Sequence, residues 1–346
     1  MERERGAALL MALLLAVLVA VLAGGMMRDE QRRLRLLDNQ RIHDEAQQLG
    51  EGALDWVRLI LRDDLRMTGA RDHWGEVWAL PISDIPLSTV LGGTTSDIRL
   101  SGRIIDAQSR FNLMSLIKVK NSQGDRGWVA ATEVNPDAVL VFERLLSGLG
   151  LDPSMAMVIA QQLLTSRLDP LSLPGTAGQG GVGGTQGQNF VAGEPLPLGD
   201  VSELAHWFPD ADAVTLQQLV QQVVLLPRPT PVNANTASAV VMAAVLGVDP
   251  GQLVGLMQQR TQQYFMDTAD LQQRLTLALP NLPTIPVGLL GVSSDYFYVL
   301  EELRQPGAIQ RRQALVARHP GVGGQITQVL GEHRGWTLVA DQAGGG

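Results

Sequence analysis

The sequence predicts an α+β fold, a long N-terminal helix packed on a small antiparallel sheet, with a large α-helical domain inserted in the body. Three observations predict it. An uncharged stretch of 21 positions runs from Ala7 to Met27, and helical periodicity continues beyond it. Strand-like alternation appears early, at Asp97–Asp106, and returns near the end at Asp295–Leu303, Ile309–Arg318 and Gln325–His333. Between them, residues 133–280 are dominated by helical windows.

The N-terminus divides into a charged cap, residues 1–6, and an apolar segment, 7–27. About 20 apolar residues of helix cross a bilayer core, so the segment has the length of a membrane span. Three readings are open from these residues alone. One is a removable signal peptide, with a small-residue site at Val21-Leu22-Ala23 before Gly24. Another is an ordinary single-pass anchor. The third is a leader cut between Gly6 and Ala7, which leaves the apolar helix in the mature chain. Glu2 and Glu4 offset Arg3 and Arg5, unlike the net-positive start of a signal peptide.

From 28 to 66 the helix continues as an amphipathic segment that leaves the bilayer. Ile42, Ala46, Leu49, Ala53, Trp56 or Val57, and Ile60 recur at spacings of three and four, with Arg, Asp, Glu and Gln opposite. At ~1.5 Å per residue such a helix reaches on the order of 90 Å. Gly50 and Gly52 are its weak points, where a kink or melted turn is expected.

The body's first part, 67–130, holds an irregular passage from Trp74 to Leu91, with Trp74 and Trp78 as core anchors. In the strand that follows, Ile98, Leu100, Gly102 and Ile104 fall on one side. Asp106–Leu113 reads as a polar turn, and Trp128–Ala130 as a short strand or the start of a helix. The inserted domain, 131–285, contains helical windows Ala138–Leu149, Ser154–Thr165, Thr215–Val224, Thr236–Leu246 and Pro250–Tyr264. Gly150-Leu151-Asp152-Pro153 and Gly247-Val248-Asp249-Pro250 join helices as stop-and-start corners, giving two helix-hairpin-helix-like units. Asn235 or Thr236 is expected to cap the helix after Pro231–Ala237. Pro174–Gly187 reads as a flexible loop, and 286–346 as the body's C-terminal strands.

Charge and composition remove several functions. The formal net charge is −8 and there is no cysteine, so neither a disulfide framework nor thiolate chemistry is available. Residues 128–290 carry 13 Asp and Glu against 5 Arg and no Lys, a balance that phosphates repel. The helix corners are therefore read as structural, with no nucleic acid as partner. His43, His73, His206, His319 and His333 show no metal-ligand spacing, and His333 sits in a polar turn. No nucleophile elbow or phosphate loop is present, so no catalytic residue and no enzyme is expected.

Five blocks, in order along the chain, carry a resemblance: Arg5–Leu10, Asp106–Leu113, Asp200–Leu204, Pro231–Ala237 and Ser294–Val299. The charged cap, glycine and persistent apolar helix resemble the type IV pilin-like family. The whole set resembles the K-type minor pseudopilin of the bacterial type II secretion system. That resemblance implies a pilin-like body with an inserted α-domain, at the tip of a short periplasmic pseudopilus, initiating it and limiting its growth in support of protein export. It implies the inner membrane as location, with a single pass and the body in the periplasm. The partners implied are minor pseudopilins I and J, and a prepilin peptidase that cuts between Gly6 and Ala7 and methylates Ala7. Exported cargo or the outer-membrane secretin are further candidate contacts.

Most pilin-like proteins carry Glu at the fifth mature position, facing a neighbour's amine; here that position is Met11. A subunit without this carboxylate can accept neighbours below but cannot satisfy one stacked above, which suits a cap. K-type proteins often hold calcium in an acidic loop of the α-domain. In this chain Asp169 is the only acid of that stretch before Glu194, too thin a set for a hard cation, so no metal or other cofactor is expected. The rival reading is a membrane-anchored periplasmic ligand-binding module; a DNA-uptake protein is disfavoured by charge.

Overall fold

The structure, a computed structural model, describes residues 3–86, 98–124, 127–168, 201–280, 282, 288–305, 308–321 and 324–334. The chain forms two units, Met1–Asp55 and Trp56–Gly346. Helix α1, Arg3–Met67, stays helical through Gly50 and Gly52, so no turn is melted there. Helical hydrogen bonding tolerates a glycine, which only weakens it. The helix stops at Thr68, whose amide and hydroxyl both bond to the Asp64 carbonyl at 2.9 Å, before Gly69 turns left-handed at φ 78°.

In the second unit, the buried side of α1 passes through Val57 and Leu61, while Trp56 points outward and Ile60 is half-buried. The face expected from spacing is thus rotated toward Val57. Its neighbour Arg58 explains why: the guanidinium reaches the Thr327 carbonyl at 2.9 and 3.1 Å, and this fixes which side of the helix meets the sheet.

That sheet is five-stranded and antiparallel, in the order β1 (Ile82–Pro86), β2 (Arg99–Asp106), β9 (Tyr296–Gln305), β10 (Ala308–Gly321), β11 (Gly324–Arg334). The late meander is as the alternation predicts. β1 lies inside the passage taken as irregular, where Pro81 and Pro86 hide the strand signal. His333 is in β11, not a turn, because the hairpin extends to Arg312 opposite Arg334. On the helix face, Ile104, Val299 and Ala314 form one row and Asp106, Phe297 and Val316 the next. Trp78 is buried edge-on against Phe297 at 5.2 Å, whereas Trp74 is 44 % exposed, its ring 5.8 Å from that of Trp78 and its indole N–H donating to the Thr236 carbonyl at 3.2 Å. Gly102 is required by a close approach, since a Cβ there would lie 3.2 Å from the Leu300 carbonyl.

The turn after β2 is two 3₁₀ turns around the short β3 (Phe111–Asn112). A hairpin follows, β4 (Ile117–Gly124) with β5 (Gly127–Val134), so Trp128–Ala130 belongs to a strand rather than a helix. The helical part then contains α2 (Pro136–Gly148), α3 (Met155–Leu168), α4 (Ala213–Gln222), α5 (Ala239–Leu246), α6 (Val254–Gln262) and α7 (Thr268–Ala278). Helix α7 has no counterpart among the expected windows. Three two-residue strands, β6 (Val223–Val224), β7 (Val232–Asn233) and β8 (Leu290–Gly291), tie the lobe down; β6 pairs with β3 and β7 with β8. Both Gly-x-Asp-Pro corners are real: Gly150 and Gly247 are left-handed at φ 74° and 70°, and Asp152 and Asp249 each accept the amide two residues on. One apolar core runs through Phe111, Phe142, Leu146, Met242 and Leu300, joining lobe and sheet.

Pro174–Gly187, Asp169, Glu194, Asp200, the Leu87–Asp97 passage and the side chains of His43 and Trp128 lie outside the described residues.

Two predictions follow from this packing. A Cβ on Gly52 meets nothing within 4 Å. Gly52→Ala should therefore raise stability by about 0.5–1 kcal/mol, read as a higher denaturation midpoint. Glu301 is 3 % exposed with neither carboxyl oxygen hydrogen-bonded, and Arg312 is 4.0 Å away. Burial pushes its carboxyl up to about 8. Because the folded value is raised, its stabilising contribution is complete below about pH 4.5 and lost as pH climbs through 8. Urea unfolding should show Glu301→Gln more stable than wild type by on the order of 2 kcal/mol at pH 8, with little difference at pH 4.

Candidate functional site

Three of the sequence blocks, far apart in the chain, meet in one buried polar junction. Its centre is Asp106, the last residue of β2, with no solvent exposure. Asp106 Oδ1 accepts the Gln108 amide at 2.8 Å, capping the turn that follows. Its Oδ2 accepts Thr236 Oγ1 at 2.5 Å, Ser294 Oγ at 2.7 Å and Asn233 Nδ2 at 2.9 Å. Burial pushes this carboxyl up, while the four donors pull the other way.

Asp72, in the loop after α1, extends the network. Its amide donates to the Val292 carbonyl at 2.8 Å and its own carbonyl accepts Asn233 Nδ2 at 3.1 Å. Asp72 Oδ2 accepts the Ser294 amide at 2.7 Å, and Oδ1 accepts Arg318 Nη2 at 2.5 Å. Arg318, on β10, is 1 % exposed. Its Nη1 donates to Asp64 Oδ2 at 2.8 Å and to the Leu61 carbonyl at 3.3 Å, both on α1. Its Nη2 also reaches the Ser294 carbonyl at 2.9 Å, and the guanidinium lies 4.7 Å from the Phe297 ring centre. The end of α1, the following loop, the sheet and the lobe thus converge on one cation and one central carboxylate.

Glu76 borders the junction, accepting Trp78 Nε1 at 2.7 Å and the His73 amide at 3.0 Å. Oxygens of Asp64, Asp72 and Glu76 lie within 4.8 Å of one another, close enough to share a cation. Arg318 already bonds two of the three, so a guanidinium supplies the positive charge these acids need. Desolvation raises Asp72 to about 7 and Asp64 to about 6, with Arg318 pulling both down.

The motif residues do different work from that expected of them. Ser238 caps α5, accepting the Val241 amide at 3.2 Å, so neither Asn235 nor Thr236 is the cap. Thr236 is committed to Asp106. Asn235 makes a two-way clamp on Phe265, accepting its amide at 2.7 Å and donating to its carbonyl at 3.0 Å. Asn112 holds the chain after β6, donating to the Arg228 carbonyl at 2.7 Å and accepting the Leu226 amide at 3.1 Å. Gln108 accepts the Asp295 amide at 2.7 Å. His73 stacks on Tyr264, ring centres 3.7 Å apart, and His319 meets Tyr296 edge-on; among the described residues the histidines do not gather. Asp64, Asp72 and Arg318 were not visible as motifs. Their one signal is Arg318 itself, a charge at an inward position of a strand whose neighbours on that face are Ala314 and Val316.

Gly6, Ala7 and Met11 lie in α1, and their side chains are outside the described residues. Among the described residues no single helix is long and apolar enough to cross a membrane, and much of the 7–27 stretch is not among their described side chains.

Comparison with known proteins finds relatives in the type II secretion system. The family model for type II secretion system protein K matches residues 232–293, which begin at the strand carrying Asn233 and stop just before Ser294. The type II secretion system protein K of Pseudomonas aeruginosa is 29 % identical over 325 residues, covering 91 % of this chain and 88 % of the relative. Along most of its length the chain is similar to protein K of the type II secretion system. It is a minor pseudopilin of that system. The fold agrees with the crystal structure of the GspK-GspI-GspJ complex from enterotoxigenic Escherichia coli, at TM-score 0.58 and 22 % identity, over 86 % of this chain and 99 % of that one.

Arg318→Met should destabilise the protein by about 3–5 kcal/mol in denaturant unfolding, because it leaves Asp64 and Asp72 buried without their cation. Adding Asp64→Asn and Asp72→Asn to that variant should recover much of the loss.

Proposed function

We propose that this chain forms or initiates the tip of the secretion pseudopilus, limits its growth, and works with the I- and J-type minor pseudopilins. The observation that carries the reading is the junction, which bonds the bulky lobe and the sheet to the last turns of α1 through Asp64, Asp72, Asp106 and Arg318. A lobe fixed at that place obstructs a further subunit instead of swinging aside. Met11 supports the same role, since a subunit without the acid at that position cannot satisfy the amine of one stacked above. The related complex holds a K, an I and a J protein together, which supports those two partners here.

Under this reading a prepilin peptidase cuts between Gly6 and Ala7 and methylates Ala7, and the 7–27 helix keeps the chain in the inner membrane with its body in the periplasm. Residues 131–285 serve as the inserted α-domain, 67–130 and 286–346 as the body. Exported cargo or the secretin are the surfaces the lobe would meet. The resemblance allows a structural calcium, but the corresponding stretch does not support one, offering Asp169 alone before Glu194.

Gly6→Leu should leave an uncut precursor that no longer supports export of a reporter protein. Mass spectrometry of the wild-type chain from membranes should find N-methyl-Ala7 at its start. A processed, export-competent Gly6 variant would refute the leader.

A further inference from the structure

An open β-sheet ends in two strands whose outer backbone groups have no neighbour, and each invites a strand from another molecule. Among the described residues those strands are β1 and β11. The hazard is greater at β11. From Gly324 to Gly331 it carries no charge and no proline, and it holds Ile326, Thr327, Val329 and Leu330. A segment of that composition pairs readily with a copy of itself.

Both edges are closed in the same way, by a bulge and an arginine. In β1, Ser83 and Asp84 together oppose Ser101, since Ile82 pairs with Gly102 and Ile85 with Leu100. Asp84 sits in the left-handed region at φ 53°, uncommon for a residue with a side chain. Its amide donates to Ser101 Oγ at 3.0 Å, and its carbonyl and Oδ1 accept Arg99 at 2.8 and 2.7 Å. Both backbone groups of this residue are therefore engaged by side chains of β2. Pro86 ends the strand and has no N–H to offer an incoming one. In β11 the extra residue is Leu330, because Leu315 pairs with Gly331 and Val316 with Val329. Three residues before it, the Thr327 carbonyl is taken by the Arg58 guanidinium of α1 at 2.9 and 3.1 Å. A strand added at either edge meets a bent backbone and a carbonyl already bonded to a cation. Displacing a charged donor costs more than a neutral backbone bond returns.

We propose that the Arg99–Asp84 and Arg58–Thr327 contacts are edge locks, which stop a second copy of this chain from extending the sheet at β1 or β11. The inference is independent of the junction and of the tip-subunit reading.

The chain has no cysteine, so one introduced thiol reports pairing directly. Gln328→Cys and Ser83→Cys place that thiol at exposed positions of β11 and β1. The detergent-solubilised full chain carrying either one should stay monomeric on a non-reducing gel after mild oxidation. Adding Arg58→Ala to Gln328→Cys should raise the disulfide-linked dimer at least ~10-fold, and Arg99→Ala should do the same for Ser83→Cys. Arg99 is exposed, so its removal spares the core and guards against a folding defect in the Arg58 variant. Abundant dimer with both arginines in place, or no increase at either edge when they are removed, would overturn the proposal.

Discussion

A guanidinium almost wholly removed from water must be surrounded by oxygens, and at Arg318 those oxygens come from separate parts of the chain. Leu61 and Asp64 belong to α1, Asp72 to the loop after it, and Ser294 to the run into β9. The desolvation cost is recovered only when all of them arrive together. The interaction therefore acts as a condition on assembly more than as a source of net stability. The helix end cannot dock on the sheet unless the loop is closed, and the loop closes on Ser294, which also binds Asp106. Asp106 in turn draws in Asn233 and Thr236, the lobe's contribution.

This arrangement suits a subunit that works by position. The lobe's apolar core alone would hold it near the sheet, but apolar contacts are non-directional and permit sliding. Hydrogen bonds to a buried carboxylate have defined directions, and misalignment leaves a charge unsatisfied. The polar junction thus sets the angle at which the lobe leaves the body, while the core through Phe142, Met242 and Leu300 supplies the bulk of the favourable burial.

The parts of this design that were legible in the sequence are those written locally. The meander shows as alternation, the helix corners show as Gly-x-Asp-Pro, and the Asp106, Asn233 and Ser294 blocks stand out as polar runs amid apolar sequence. Their meeting does not show. Arg318 finds Asp72 and Asp64 across 246 and 254 residues, and no spacing rule reaches that far. The two-residue strands have no period to detect. The cap of α5 was misplaced because Asn235, Thr236 and Ser238 are all good caps by type, and tertiary bonds to Phe265 and Asp106 remove the first two from competition. Apolar spacing leaves Trp56 and Val57 open as the packed position of α1, and the Arg58 bond to Thr327 selects Val57.

The junction also has a charge imbalance that the bonding does not remove. Among the described residues Asp64, Asp72, Glu76 and Asp106 are four carboxyls near the cation of Arg318, and burial weakens the hold of His73 on a proton. Burial is the main reason that Asp72 is raised to about 7 and Asp64 to about 6, with neighbouring carboxyls adding to it and Arg318 opposing it. Since both folded values exceed the ordinary carboxylate value, the stability linked to them is complete near pH 4 and drains away as pH rises through 6 and 7. Arg318 limits the drain by favouring the ionised forms it bonds. A neutral residue there would remove the opposing charge and widen the gap between folded and unfolded titration. The same guanidinium that orders the junction therefore also sets how far into the neutral range it stays intact.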